Sequence, residues 1–314
     1  MAEHHLAPDV DSVHWGYLDA SIPPVLTIDS GDIVTVGTVS GGADQVPPAG
    51  NVCPELWAIH DAYSPAPGPH ILTGPIFVRG AMPGDFLKIE ILDVALRDDW
   101  GFNITVPGKG VLPDDFDVPS LTHFAIDRTT AAIRTPWGAT TVARPFFGVM
   151  ATAPRQEDGR LSSVIPGYFG GNMDNKELVA GSTLFLPVSV EGGLLSVGDG
   201  HAVQGDGEVG LTAVETGLTG RLRVSVIECG AVTGPHAETD CHVIAMAFDE
   251  DLNRAIPEVV RSAIVLIRTG REISAHEAYV LCSIGADLRI TQLVNVKKGV
   301  HLMVSKSAIA GRAS

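Results

Sequence analysis

The stretch TGPIFVRGAMPGDFLKIEILDVAL, residues 73–96, reads as strand, turn and strand. The apolar run around Ile76–Val78 gives way to MPGD at 82–85, whose Pro, Gly and Asp are turn residues. FLKIEILDVAL then alternates well enough for a strand with one buried face. The same grammar appears upstream, where DSGD at 29–32 is a turn before the β-rich run IVTVGTV at 33–39. It returns downstream in STLFLPVSV (182–190), GGLLSVGDG (192–200), GEVGLTAVET (207–216) and GRLRVSVIE (220–228). Residues 121–150 predict further short strands, and ADLRITQLVN at 286–295 another. PGD at 83–85 and EGG at 191–193 each precede an apolar strand, a hint of two β-rich halves within one unit spanning 1–314. Residues 41–69, 97–120 and 154–176 read as long loops, and loops of such length are often functional.

Helix enters late. Residues 251–269 carry Val259, Val260, Ala263, Ile264 and Ile267 on a helical stripe, with Gly270 as a stop. SAHE at 274–277 fits a capping box, Ser274 capping and Glu277 three residues on, which opens a short helix through about Cys282. The predicted class is mostly β with a few helices (α+β).

Composition narrows the function. The formal net charge is −16, which disfavours nucleic acid, since phosphate binding needs Lys and Arg, and also an anionic membrane surface. A neutral or cationic small substrate is easier to admit. Cys53, Cys229, Cys241 and Cys282 form no CxxC pair and read as buried free thiols in a reducing compartment. Residues 1–16 have neither a basic start nor an apolar core, so no signal peptide is predicted and the location expected is cytoplasmic. No GxSxG elbow, P-loop, HExxH or dinucleotide fingerprint occurs.

What remains is a set of polar residues in glycine-flanked turns. His70 lies in GPHILTGP and Asn172 and Asp174 in GGNMDN. Asp199, His201, Gln204, Asp206 and Glu208 crowd into GDGHAVQGDGEVG, residues 198–210. Imidazole and carboxylate suit zinc and similar divalent ions, and a catalytic site needs about three protein ligands. Residues 199 and 201 share a face if they lie on a strand, as do 206 and 208, so a hairpin over 198–210 would converge four groups. His60 and Asp61 read as structural, and Asp98, Asp99 and LPDDFD at 112–117 as solvated loop residues.

With these residues assembled, the sequence resembles the acetamidase/formamidase family over nearly its whole length. The passages that carry the resemblance are HWG at 14–16, HILTGPIFVRGAMPGDFLKIEILD at 70–93, PFFGVMATAP at 145–154, PGYFGGNMDNKELVAGSTLFLPVSVEGGLLSVGDGHAVQGDGEV at 166–209 and EAYVLCSIGADLRITQLVN at 277–295. The family pattern has a histidine before the paired glycines where this chain has Phe169, a departure that bears on the substrate pocket more than on the fold.

The resemblance implies a β-sandwich-like architecture and a cytoplasmic amidohydrolase cleaving short aliphatic amides such as formamide and acetamide to carboxylate and ammonia. It implies a homodimer or larger homo-oligomer and a divalent metal, zinc foremost, with calcium or manganese as alternatives. The positions it implicates are those already assembled. Asp174, Asp199 and His201 are assigned to the metal, with His70 as a further ligand. Glu208 is assigned as general base and acid, a role it could exchange with Asp206. Gln204 or Asn172 would orient the amide. Other metal-dependent chemistry, a lyase or a hydrolase of larger or cyclic amides, stands second, and a non-catalytic β scaffold binding a small ligand third.

Overall fold

The computed structural model of the chain describes residues 1–48, 51–228 and 230–310, so Cys229 lies outside the described residues. Strands account for 40% and helices for 14%, which is the mostly β class expected. A nine-stranded sheet runs in the order Glu3–Leu6, Asp32–Gly37, Leu218–Ile227, Phe86–Leu96, Thr183–Pro187, His236–Glu238, His242–Asp249, Lys298–Ser305 and Ala286–Gln292. Neighbouring pairs are antiparallel except Glu3–Leu6 with Asp32–Gly37, and both halves of the chain supply strands.

The second sheet has eleven strands. Its centre is Leu195–Val203, which pairs along one edge with Phe146–Ala151. One core joins the sheets: Val34, Ile89 and Leu222 of the first pack with Ile126, Met150 and Val197 of the second. Phe147 of the second sheet lies against Gly220 of the first, where an added Cβ would lie 2.5 Å from the ring. This is sheet-on-sheet packing with interdigitated inner faces. Strand Leu218–Ile227 shows the reason locally, since its first seven residues alternate buried and half-buried.

The predicted helix at 251–269 is Leu252–Arg268, its stripe of Ala255, Val259, Ala263 and Ile267 buried against the strands His242–Asp249 and Lys298–Ser305. Asp251 caps it and Gly270 leaves it at φ +71°. The capping box at Ser274 and Glu277 is formed and opens a helix, Ala275–Gly285. Among the described residues no helix is long and apolar enough to cross a membrane.

Three local readings are corrected. The stretch 41–69 contains a helix, Pro54–Ala62, which opens on its proline and buries Leu56 and Ile59 against Trp15 and Trp100. The stretch 97–120 contains the strand Trp100–Thr105, whose pairing with Ser120–Asp127 supplies order its sequence does not advertise. The window 198–210 is not a hairpin. Strand Leu195–Val203 ends inside it, and the next strand is only Val214–Glu215. Among the thiols, Cys282 is buried, Cys53 half-buried and Cys241 exposed, and all three are free.

Candidate active site

Strand Leu195–Val203 is buried over its first eight residues, yet it carries Ser196, Asp199 and His201. Buried polar groups need partners. Ser196 has one in His14, whose Nε2 lies 2.9 Å from its hydroxyl. Asp199 and His201 are placed by a split in the sheet. On one edge the strand pairs first with Ile71–Val78, up to Gly198 opposite Leu72. It then pairs with Val214–Glu215, from His201 opposite Glu215. Asp199 falls between the two partners, with φ +56°.

The carboxylates close around that gap. His201 Nε2 is 3.2 Å from Asp199 Oδ2, 3.3 Å from Glu215 Oε1 and 4.0 Å from Asp174 Oδ1. Two overlapping triads share the histidine, Asp174–Asp199–His201 and His201–Glu208–Glu215, each with ligand atoms within 4.8 Å of one another. Asp174, Asp199 and Glu208 all lie in the left-handed region, at φ +50°, +56° and +46°. Such strain is held only where the surroundings over-determine it, and it concentrates at functional sites.

The chain leaves room for the cluster at Gly148. It lies on the neighbouring strand between the register pairs Phe147–Gly200 and Val149–Gly198. A Cβ at 148 would sit 2.6 Å from Asp174 Oδ1 and 3.0 Å from His201 Cε1, and closer still to Asp199 Oδ2. Phe146 closes the far side with its ring edge-on to His201, centroids 5.0 Å apart.

Electrostatics follow from packing four acids out of water. Burial, and then the charge of Asp199, pushes Asp174 up. Burial and Asp174 push Glu208 well up, and burial raises Glu215 as well. Burial pushes Asp199 in the same direction, but His70 and His201 outweigh it and hold its carboxyl below the usual range. Burial also opposes the His201 cation, but Glu215 and Asp199 hold it well above the usual imidazole range.

Several features fit a divalent cation here. Four carboxylates and an imidazole form an N/O donor set suited to zinc or manganese. Glu215 Oε2 is buried with no hydrogen-bond partner. Asn172 joins the cluster, its amide donating to Asp199 Oδ2 at 3.0 Å and Asp174 Oδ1 at 3.1 Å and accepting from Asn295 Nδ2 at 2.9 Å.

The expected residues separate. Asn172, Asp174, Asp199, His201, Glu208 and His70 all line one cavity of about 440 Å³. His70 bonds Ser163 through Nδ1 at 3.0 Å, with Nε2 3.9 Å from Asp199. Gln204 stands behind His201, its Oε1 2.8 Å from Nδ1, rather than on the cavity wall. Asp206 is not brought in. It is 38% exposed, outside the cavity lining, and pairs with Lys176 at 3.0 Å. The shared face expected for 206 and 208 fails because both belong to a loop. Phe169, expected at the pocket, is 2% exposed and packs with Leu18, Leu72, Val149 and Ala151 instead. Asp98 is buried and accepts from the Gly217 amide, and His60 bonds the Gly41 carbonyl.

Two cluster residues went unforeseen. Glu215 sits in the short strand opposite His201, and an acid among the apolar residues of LTAVETGL was its only local signal. Asn295 donates to Asp174 Oδ2 at 2.7 Å from 121 positions away.

A model of the Acetamidase/Formamidase family matches residues 10–159 and 157–305. The chain belongs to that family. Among relatives, the formamidase of Methylophilus methylotrophus is 32% identical over 193 residues, 45% of this chain and 47% of that protein. The acetamidase of Mycolicibacterium smegmatis is 30% identical over 225 residues, 52% of this chain and 55% of that one. The chain's matches span about half the length of these curated relatives. The crystal structure of an acetamidase from Bacillus halodurans superposes with a TM-score of 0.84 at 30% identity, covering 96% of this chain and 97% of that one.

Proposed function

We propose that this member of the acetamidase/formamidase family is a carboxamide hydrolase, converting R–CO–NH2 and water to a carboxylate and ammonium. Formamide and acetamide are its smallest substrates. The observation that carries this reading is the shared-histidine acid cluster on the floor of the cavity, which leaves a buried Glu215 oxygen unpartnered.

Asp174, Asp199 and His201 would hold the metal, with His70 as a further ligand. Zinc suits the donor set first, and manganese or calcium are alternatives. When bound, a divalent ion lowers the pKa of water and polarises a carbonyl. Glu208 takes a proton from the attacking water and returns it to the leaving nitrogen. Its burial suits this work, because a carboxyl held well above the usual carboxylate range both accepts and donates. Asn172 orients the amide from the cavity wall. Gln204 orients His201 rather than substrate. A small neutral substrate, a homo-oligomeric assembly and a cytoplasmic setting without nucleic acid or membrane belong to the same proposal.

The test is ammonia release from formamide, acetamide and propionamide by metal-stripped protein, before and after adding zinc, manganese or calcium. Turnover restored by an added ion is the expected result. Full turnover by stripped protein would overturn the metal assignment. No ammonia with any ion would overturn the hydrolase.

A further inference from the structure

The cavity above the acid cluster is much larger than the small amides. At about 30 Å³ per water-sized group, its 440 Å³ holds on the order of fifteen such groups, whereas acetamide has four heavy atoms. It falls within the range of pockets built for sizeable ligands.

The cavity is also mixed in character. Beside the acid cluster and the charged Asp44 and Lys109, its lining includes the apolar Phe102, Ile104, Val106, Val164, Leu211 and Val294. Phe102 is fixed by stacking on Trp100, centroids 6.3 Å apart, and by a small buried cluster with Trp15 and Ile59. Leu211 is held at φ +108°, a backbone conformation that leucine rarely adopts, while its side chain lines the cavity. A strained residue that keeps an apolar side chain at a ligand wall is a mark of a binding surface. Water facing such a wall is readily displaced by apolar groups.

We infer that the preferred substrate is a primary amide whose acyl group is bulky and apolar, aryl or branched alkyl. The amide sits on the acid cluster and the acyl group lies against the wall of Phe102, Ile104 and Leu211. This rests on the amide-hydrolase reading. Formamide and acetamide turn over, but they leave the wall uncovered and gain nothing from it.

The experiment compares kcat/KM for ammonia release from formamide, acetamide, isobutyramide, benzamide and phenylacetamide, using the metal-loaded protein. The expected result is a rise of about tenfold or more from acetamide to the best of the larger amides, the scale on which apolar pockets discriminate. Leu211→Gly relieves the backbone and removes the side chain, so the ratio of phenylacetamide to formamide turnover falls about tenfold while the protein still folds cooperatively. Ile104→Trp fills the wall and lowers the same ratio, which keeps the test open if the Leu211 variant misfolds. Turnover that peaks at formamide or acetamide and falls with acyl size overturns the inference and leaves the hydrolase standing. No ammonia from any amide overturns the hydrolase and this inference with it.

Discussion

Gln204 fixes the proton on His201. The amide nitrogen of Gln204 donates to the Asp174 carbonyl at 2.8 Å, so its oxygen must face the imidazole, 2.8 Å from Nδ1. Nδ1 therefore carries a hydrogen, and Nε2 is the nitrogen turned toward Asp199, Glu215 and Asp174. Such an outer partner is typically worth about 10–100-fold in metal affinity or activity. Gln204→Leu is expected to weaken zinc binding by that order, measured by competition with a chelating dye. Unchanged affinity would remove Gln204 as a positioning residue.

Gly148 and the acids compete for the same space. Gly148→Ala would place a methyl 2.6 Å from Asp174 Oδ1, on a strand held by its register and unable to retreat. The variant is expected to lose metal and at least ~100-fold in turnover, since small misplacements at a reacting centre cost about that much. Metal content and kcat measured together check it, and full activity would show that the cluster tolerates a side chain beneath it.

Asp206 and Glu208 make a matched pair of controls two residues apart. Glu208 is 7% exposed inside the cavity, and Asp206 pairs with Lys176 outside it. Glu208→Gln should lower kcat by roughly 10²–10⁴-fold with metal retained, the usual scale for a general acid–base group. Asp206→Asn should stay within about twofold, because an exposed ion pair is worth little. The reverse ranking would move the acid–base role out of the cavity.

Metal binding should expel protons. Without a cation, burial and mutual repulsion raise Asp174, Glu208 and Glu215 above the usual carboxylate range, and the acids raise His201 above the usual imidazole range. Ligands bind metal only when deprotonated. Zinc added to stripped protein at pH 7 in dilute buffer is expected to release about one to two protons per ion, read with an indicator dye. Zinc uptake without proton release would show that the acids are already ionised.

Stability should fall with acid through two histidines away from the cluster. Burial holds His14 and His301 down to about 4, against the usual 6.5. The folded state prefers them neutral, so their contribution is complete above pH 6.5 and is lost as pH falls from there toward 4. At 1.36 kcal/mol per pH unit, each accounts for about 2–3 kcal/mol by pH 4.5. Urea unfolding at pH 7 and 4.5 measures this, and His301→Asn should show the shallower fall. Equal slopes for the two proteins would exclude His301 as a source.

Much of this structure could be read from neighbours in the chain. Strand alternation at 86–96, the helix ending at Gly270 and the capping box at Ser274 are local, because each depends on side chains within a turn or two. Asp199 and His201 were recognisable as partners for the same reason, being two residues apart on one strand. Asn172, Asp174 and Glu208 were legible as polar residues in glycine-flanked turns, and the family resemblance implicated the same positions. Tertiary structure alone decided the rest. The helix Pro54–Ala62 is too short to declare itself and is held by burial against Trp15. Glu215 reaches His201 through strand register, and Asn295 reaches Asp174 across 121 positions. Asp206 and Glu208 are alike in sequence, but one faces solvent and the other is turned inward at φ +46°. Register and left-handed backbone at non-glycine residues are settled by long-range packing, and no pattern among adjacent residues encodes them.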